Sequence, residues 1–204
     1  MQINILLFNG FDEMDAIAPF EVLQNAVAAG ADFDVRLVVL DDAELVTASH
    51  GLQVKPQGRI GADSSMDILI VPGGNWNNPT ARGVRTEVEQ GDIPRLIAHL
   101  HQAGIVIAGV CTGAMLMAEA NILQGRNAVT HHLANPALQE KGTEIVPARV
   151  VDDGDIITSG GVTSGLDLAL WLVEKFTGPQ IAHDVEQRME YERRGTVWRR
   201  SATS

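Results

Sequence analysis

The chain has 204 residues, 45% of them hydrophobic, with 26 acidic against 15 basic side chains and a formal net charge of −11. This is soluble, globular composition with enough length for one sizeable core, and an acidic surface of this kind repels phosphate backbones, which argues against nucleic-acid binding. One cysteine leaves no partner for an internal disulfide, no apolar run approaches the roughly 20 residues of a membrane span, and "MQINILLFNG" lacks the basic region of a signal peptide.

A cytoplasmic protein with a single domain over residues 1–204 is therefore expected. The first element is a strand, "INILLF" at 3–8. "DAIAPFEVLQNAVAAG" at 15–30 follows as a helix, with Ile17, Phe20, Leu23 and Val27 spaced to share a face. Pro19 is placed early, in the tolerated first turn, and Gly30 supplies the stop. "DVRLVVL" at 34–40 is a second strand, and "LVTASHGLQVKP" has the alternation of a hairpin around Ser49, His50 and Gly51.

"DILIVPGG" at 67–74 is a continuous apolar run of the kind a strand covered on both faces needs. A helix is expected from about 93 to 103, then a buried strand "IVIAGV" at 105–110, then the helical "AMLMAEANIL". "LANPALQEKG" is a short helix started or interrupted by Pro136. "ARVVDDGDIITSGG" is a hairpin, and two amphipathic helices separated at Gly178 and Pro179 complete the pattern. Strands alternating with helices predict an α/β fold on a mostly parallel sheet with antiparallel hairpins at an edge. Ligands of such sheets bind beyond the carboxyl ends of the strands, which points at the segments after Phe8, Val71 and Val110.

The only cysteine, Cys111, falls on one of those ends, at a strand-to-helix elbow flanked by Gly109 and Gly113. A helix N-terminus favours an anion, so a lowered thiol pKa and a nucleophilic thiolate are expected; the alternative is a buried, inert cysteine. The N–H groups of Gly74 and Thr112 are candidates for an oxyanion hole. Asp15, early in the first helix, is either an N-cap or a carboxyl group that shuttles a proton with the thiol. Asp12 and Glu13 are assigned to a solvated loop. His131 is a possible partner of Cys111, but no acid follows two residues after it, which favours a supporting or packing role. His50, His99, His101 and His183 show no metal-ligand spacing. The Arg-rich "RRGTVWRR" at 193–200 is either a salt-bridged tail or a segment that packs on a partner subunit through Trp198.

Taken together, the "GVCTG" elbow, the upstream "PGG", the acid early in the first helix and the late "GGVTSGLDLAL" resemble the ThiJ/PfpI superfamily over roughly residues 2–177. The resemblance implies a flavodoxin-like three-layer α/β sandwich, a homodimer and a reactive cysteine at the elbow. Within the superfamily, Asp15 in place of Glu, the Cys111-Thr112-Gly113 elbow and "TSGGVTSGLDLAL" are most similar to the isocyanide hydratase group. That likeness implies a small electrophilic substrate, attack by Cys111 on the terminal carbon of an isocyanide, and proton delivery or water organisation by Asp15. It also implies a donor role for Thr112, a thioimidate hydrolysed to an N-formamide, and no cofactor or metal. The tail "MEYERRGTVWRR" departs from the group's Pro-rich, aromatic stretch, and "GGNWNNPTARG" brings Trp76 and three Asn near the pocket. Two other readings stay open: glyoxalase- or deglycase-type action on α-oxoaldehydes, and a redox-sensing stress protein built on the same sulfur.

Overall fold

A computed structural model describes residues 1–200; the last four residues of the expected 1–204 domain lie outside the described residues. In chain order the elements are β1 (Gln2–Leu6), α1 (Glu13–Ala28), β2 (Asp34–Val39), β3 (Val46–Thr47), β4 (Gln53–Val54), β5 (Gly58–Arg59), β6 (Ile68–Val71), α2 (Val84–Gln90), α3 (Asp92–Gln102) and β7 (Val106–Val110). There follow α4 (Gly113–Glu119), β8 (Asn127–Ala128), a 3-10 turn (His132–Ala134), α5 (Asn135–Glu140), β9 (Glu144–Ile145), β10 (Val150–Asp152), β11 (Ile156–Ser159), α6 (Ser164–Thr177), α7 (Pro179–Met189) and β12 (Trp198–Arg199).

The main sheet runs β12-β10-β11-β7-β6-β1-β2-β5, and every neighbouring pair is parallel except β10 with β11. Its central strands are uniformly apolar because helices cover both faces: Ile68, Leu69, Ile70 and Val71 of β6 are all fully buried. Helices α1, α6 and α7 pack together, as do α2, α3 and α4. The result is a flavodoxin-like α/β fold. Strand β1 has β2 on one side and β6 on the other, so the chain reverses its direction of travel across the sheet at β1, and the carboxyl ends of β1, β6 and β7 share one edge.

Several expectations are corrected. Helix α1 begins at Glu13, capped by Asp12, whose side chain accepts the N–H of Met14. Its buried residues are Asp15, Ala16, Ala18, Pro19, Val22, Leu23 and Ala26, while Ile17, Phe20 and Val27 lie only half-buried. The helix is clasped by α6 and α7 as well as the sheet, which selects small residues on the inner side. Pro19 therefore lies in the second turn. The β3–β4 hairpin forms a separate two-stranded sheet, and β10–β11 is held off the edge by β12. Trp198 pairs with Val151 of its own chain, and Arg193 bridges Glu174 and Glu186, so of the two readings of the C-terminal segment the salt-bridged tail is the one observed.

Candidate active site

Strand β7 delivers Cys111 to the carboxyl edge of the sheet. Cys111 adopts a left-handed backbone with φ 64°, its N–H donates to Ser159 O at 3.1 Å, and its carbonyl accepts the Thr130 hydroxyl at 2.6 Å. The chain then enters α4 at Gly113, where a Cβ would stand 2.1 Å from the Val71 carbonyl oxygen, so no larger residue fits without moving β6. Cys111 is 5% exposed.

Asp15 reaches the same point from α1 and is fully buried. Its Oδ2 accepts the Gly73 N–H at 2.9 Å, while Oδ1 has no hydrogen-bond partner. Pro19 has no N–H to give the Asp15 carbonyl one turn back, which leaves the helix locally unlatched at the acid. The loop after β6 completes the junction. Gly74 N–H donates to Thr112 Oγ1 at 3.0 Å, and a Cβ on Gly73 would lie 2.5 Å from Thr112 Oγ1 and 2.9 Å from Asp15 Oδ2. Thr112 thus ties the elbow to the Pro-Gly-Gly turn.

Burial pushes the Asp15 carboxyl well above the usual carboxylate range, and the nearby Asp12 adds to the rise; the Gly73 N–H and the adjacent Cys111 thiol work against it. Burial also pushes the Cys111 thiol up, and the Asp15 carboxyl pushes it further, against hydrogen bonds from the backbone of Val162 and Thr112. The expected lowering of the thiol is therefore reversed. Helix α4 is only seven residues long, and its end cannot offset desolvation plus an adjacent acid. The expected oxyanion pair is also revised: Gly74 N–H is committed to Thr112, and the donors at the sulfur are Thr112 and Val162.

Above the sulfur is a cleft of about 300 Å³. Asp12, Gly74, Thr112, His131 and Val162 line it together with Asn75, Trp76, Asn77 and Asn78. Asn75 (φ 52°) and Val162 (φ 44°) share the left-handed backbone of Cys111, so three strained residues converge on one cavity. His131 faces the cleft directly, with burial holding its pKa below the ordinary histidine value and His132 adding to the effect. Its Nδ1 accepts the Leu133 N–H at 3.3 Å, and its ring lies against Gly161, where a Cβ would meet Cδ2 at 2.5 Å. Asp12 and Glu13 are not solvated loop: Asp12 caps α1 and lines the cleft, and Glu13 accepts from Ser49 Oγ and from His50 N and pairs with His50 Nδ1. Sequence reasoning missed Thr130 and Val162, which no local pattern marks. Among the described residues no three His, Cys, Asp or Glu side chains are arranged to hold a metal ion.

The sequence pattern of the DJ-1/PfpI family matches residues 1–175. An isonitrile hydratase of Pseudomonas putida is 35% identical, over 94% of this chain and 78% of its own. The HTH-type transcriptional regulator CdhR of Pseudomonas aeruginosa is 32% identical over 90% of this chain, which spans about half (53%) of that relative's length. The crystal structure of Drosophila melanogaster DJ-1beta superposes with a TM-score of 0.81 over 94% of this chain and 98% of that one, at 22% identity, a likeness of fold. With the elbow, the buried acid and these matches in place, the chain belongs to the DJ-1/PfpI family.

Proposed function

We propose that the protein hydrates isocyanides to N-formamides, with Cys111 as nucleophile and Asp15 as proton carrier. The observation that carries this reading is the buried Asp15 carboxyl set against Cys111, whose residue lines the cleft, and the similarity to isonitrile hydratase supports it. The raised proton affinities of both groups favour a relay over attack by a free thiolate. One oxygen of the protonated Asp15 takes the thiol proton as the other gives its own to the terminal carbon of R–N≡C. The sulfur bonds to that carbon, and the product is the thioimidate R–N=CH–S–Cys111. Water then adds its oxygen to the carbon and a proton to the nitrogen. The C–S bond breaks, the sulfur recovers a proton from the new hydroxyl, and R–NH–CHO leaves. The sum is one isocyanide plus one water. Thr112 holds the Gly74 turn against the pair and keeps the acid in register.

The same reading makes the protein a cytoplasmic homodimer. Exposed Met14 on α1 and Leu52 beside β4 support a partner there, and no helix among the described residues is long and apolar enough to cross a membrane. A second reading, a small-molecule sensor without turnover, is favoured by the match to CdhR. The test is an aryl isocyanide followed by absorbance and proton NMR. Wild type is expected to form the formamide and Cys111→Ala to form none; a folded wild type that binds the isocyanide without producing formamide overturns the enzyme in favour of the sensor.

A further inference from the structure

We infer that the cleft above Cys111 selects its ligands by charge, admitting uncharged or cationic electrophiles and turning away anionic ones, through the Asp12 carboxylate in a lining that contains no lysine or arginine. The reaction on such ligands rests on the isocyanide reading; the charge selection stands on the lining alone.

Asp12 is a fixed charge, not a swinging one. Its Oδ1 caps α1 by accepting the Met14 N–H at 3.2 Å, and its own N–H donates to Gly73 O at 2.8 Å. Besides Cys111 and His131, the other side chains of the wall, Asn75, Trp76, Asn77, Asn78, Thr112 and Val162, are uncharged. Two arginines farther along the chain are not part of the lining. Arg85 donates to the Trp76 carbonyl at 2.5 Å and stacks its guanidinium 4.3 Å from the Trp76 ring centre, and Arg82 lines a different cavity beside Glu87. Burial and the neighbouring His132 lower the His131 pKa from its ordinary value, against an opposing pull from Asp12. The lining thus holds one carboxylate and no lysine or arginine, and an anionic ligand would meet repulsion without a permanent counter-ion in the wall. Trp76, pinned by Arg85, offers a rigid aromatic face to a planar substituent. The favoured class is a small aryl isocyanide carrying a neutral or ammonium group, and the disfavoured class carries a carboxylate.

The test measures how fast Cys111 is modified by three methanethiosulfonates of similar size bearing trimethylammonium, hydroxyl or sulfonate groups. In each case the sulfur forms a mixed disulfide and methanesulfinate leaves, so the readout does not depend on hydratase turnover. Rates are referred to those of 2-mercaptoethanol. At low salt the cationic reagent is expected to gain about five- to twentyfold over the anionic one, with the neutral reagent between them. The ratio should shrink toward the reference as salt rises, and Asp12→Asn, which keeps an N-cap side chain, should shrink it several-fold. A ratio equal to that of the reference thiol, or one untouched by Asp12→Asn, overturns the inference. A preserved ratio together with no turnover of neutral aryl isocyanide supports charge selection while overturning the hydratase. Where turnover is present, kcat/KM for an ammonium-substituted aryl isocyanide should exceed that for its carboxylate analogue by a similar factor.

Discussion

Asp15 and Cys111 act on one another in opposite senses. The nearby thiol draws the carboxyl's proton affinity down, against the larger effect of burial, while the Asp15 carboxyl drives the thiol's affinity up. Each group therefore holds its proton to higher pH than it would alone in water, which suits a relay.

Asp15→Asn should lower turnover by about 100- to 10,000-fold, the usual contribution of a positioned proton carrier. It should also change stability with a definite sign. The folded protein holds the Asp15 proton to higher pH than the unfolded chain, which releases it around the ordinary value of 3.8. Wild-type stability thus falls as pH rises above that value, and the asparagine variant lacks this loss. Denaturation midpoints of the two proteins from acid to neutral pH should diverge in favour of the variant; parallel curves would contradict a buried, protonated Asp15.

Alkylation of Cys111 by iodoacetamide should accelerate steadily into alkaline pH with no plateau near neutrality, because burial and Asp15 both raise the thiol. In Asp15→Asn the whole profile should move to lower pH. A wild-type plateau below neutrality would restore the free thiolate that the elbow alone suggests.

Gly113→Ala should destabilise the protein by about 1–3 kcal/mol, as overpacking does. The new Cβ would overlap the Val71 carbonyl at 2.1 Å, and that carbonyl belongs to a central strand that cannot yield cheaply. Urea midpoints check the cost, and turnover should fall with it because the elbow and the Pro-Gly-Gly turn meet at this contact.

Burial alone would raise Glu13, but hydrogen bonds led by His50 bring its pKa to about 2. Its stabilisation is complete above the ordinary 4.5 and is lost as pH falls toward about 2. His50 is raised from 6.5, chiefly by its hydrogen bond to Glu13, so its share is present below 6.5 and is lost as pH climbs through the raised value. The link between the β3–β4 turn and α1 is therefore strongest between those limits. The melting-temperature difference between wild type and Glu13→Gln should peak there and shrink on both sides; a difference independent of pH would remove the ion pair from the account.

The central strands were legible because burial on both faces demands unbroken apolar runs, as in "ILIV" of β6, and the elbow was legible because a strand ran straight into Cys111 and Gly113. Strands β5 and β12 were not. Each is two residues long, Gly58–Arg59 and Trp198–Arg199, and exists only because a neighbouring strand offers hydrogen bonds. Helix α2 was missed because "VRTEVEQ" buries only Val84 and leaves no stripe to read. At the site, the acid and the thiol were found in sequence, but the thiol's proton affinity was misjudged, since local position shows the helix end and not the carboxyl that arrives from far along the chain. Asp12 had a usable signal, a capping residue just ahead of a helix, that its acidic neighbours obscured.

Asn75, Cys111 and Val162 all hold backbone angles that L-residues avoid, at about 1–3 kcal/mol each, and all three border the same cavity. Selection for heat tolerance alone would favour glycine at 75 and 162, where it relieves the twist at once. Variants gathered that way should melt later and work worse, so a thermostabilising campaign on this scaffold has to exempt those positions and look for its gains on the far side of the sheet.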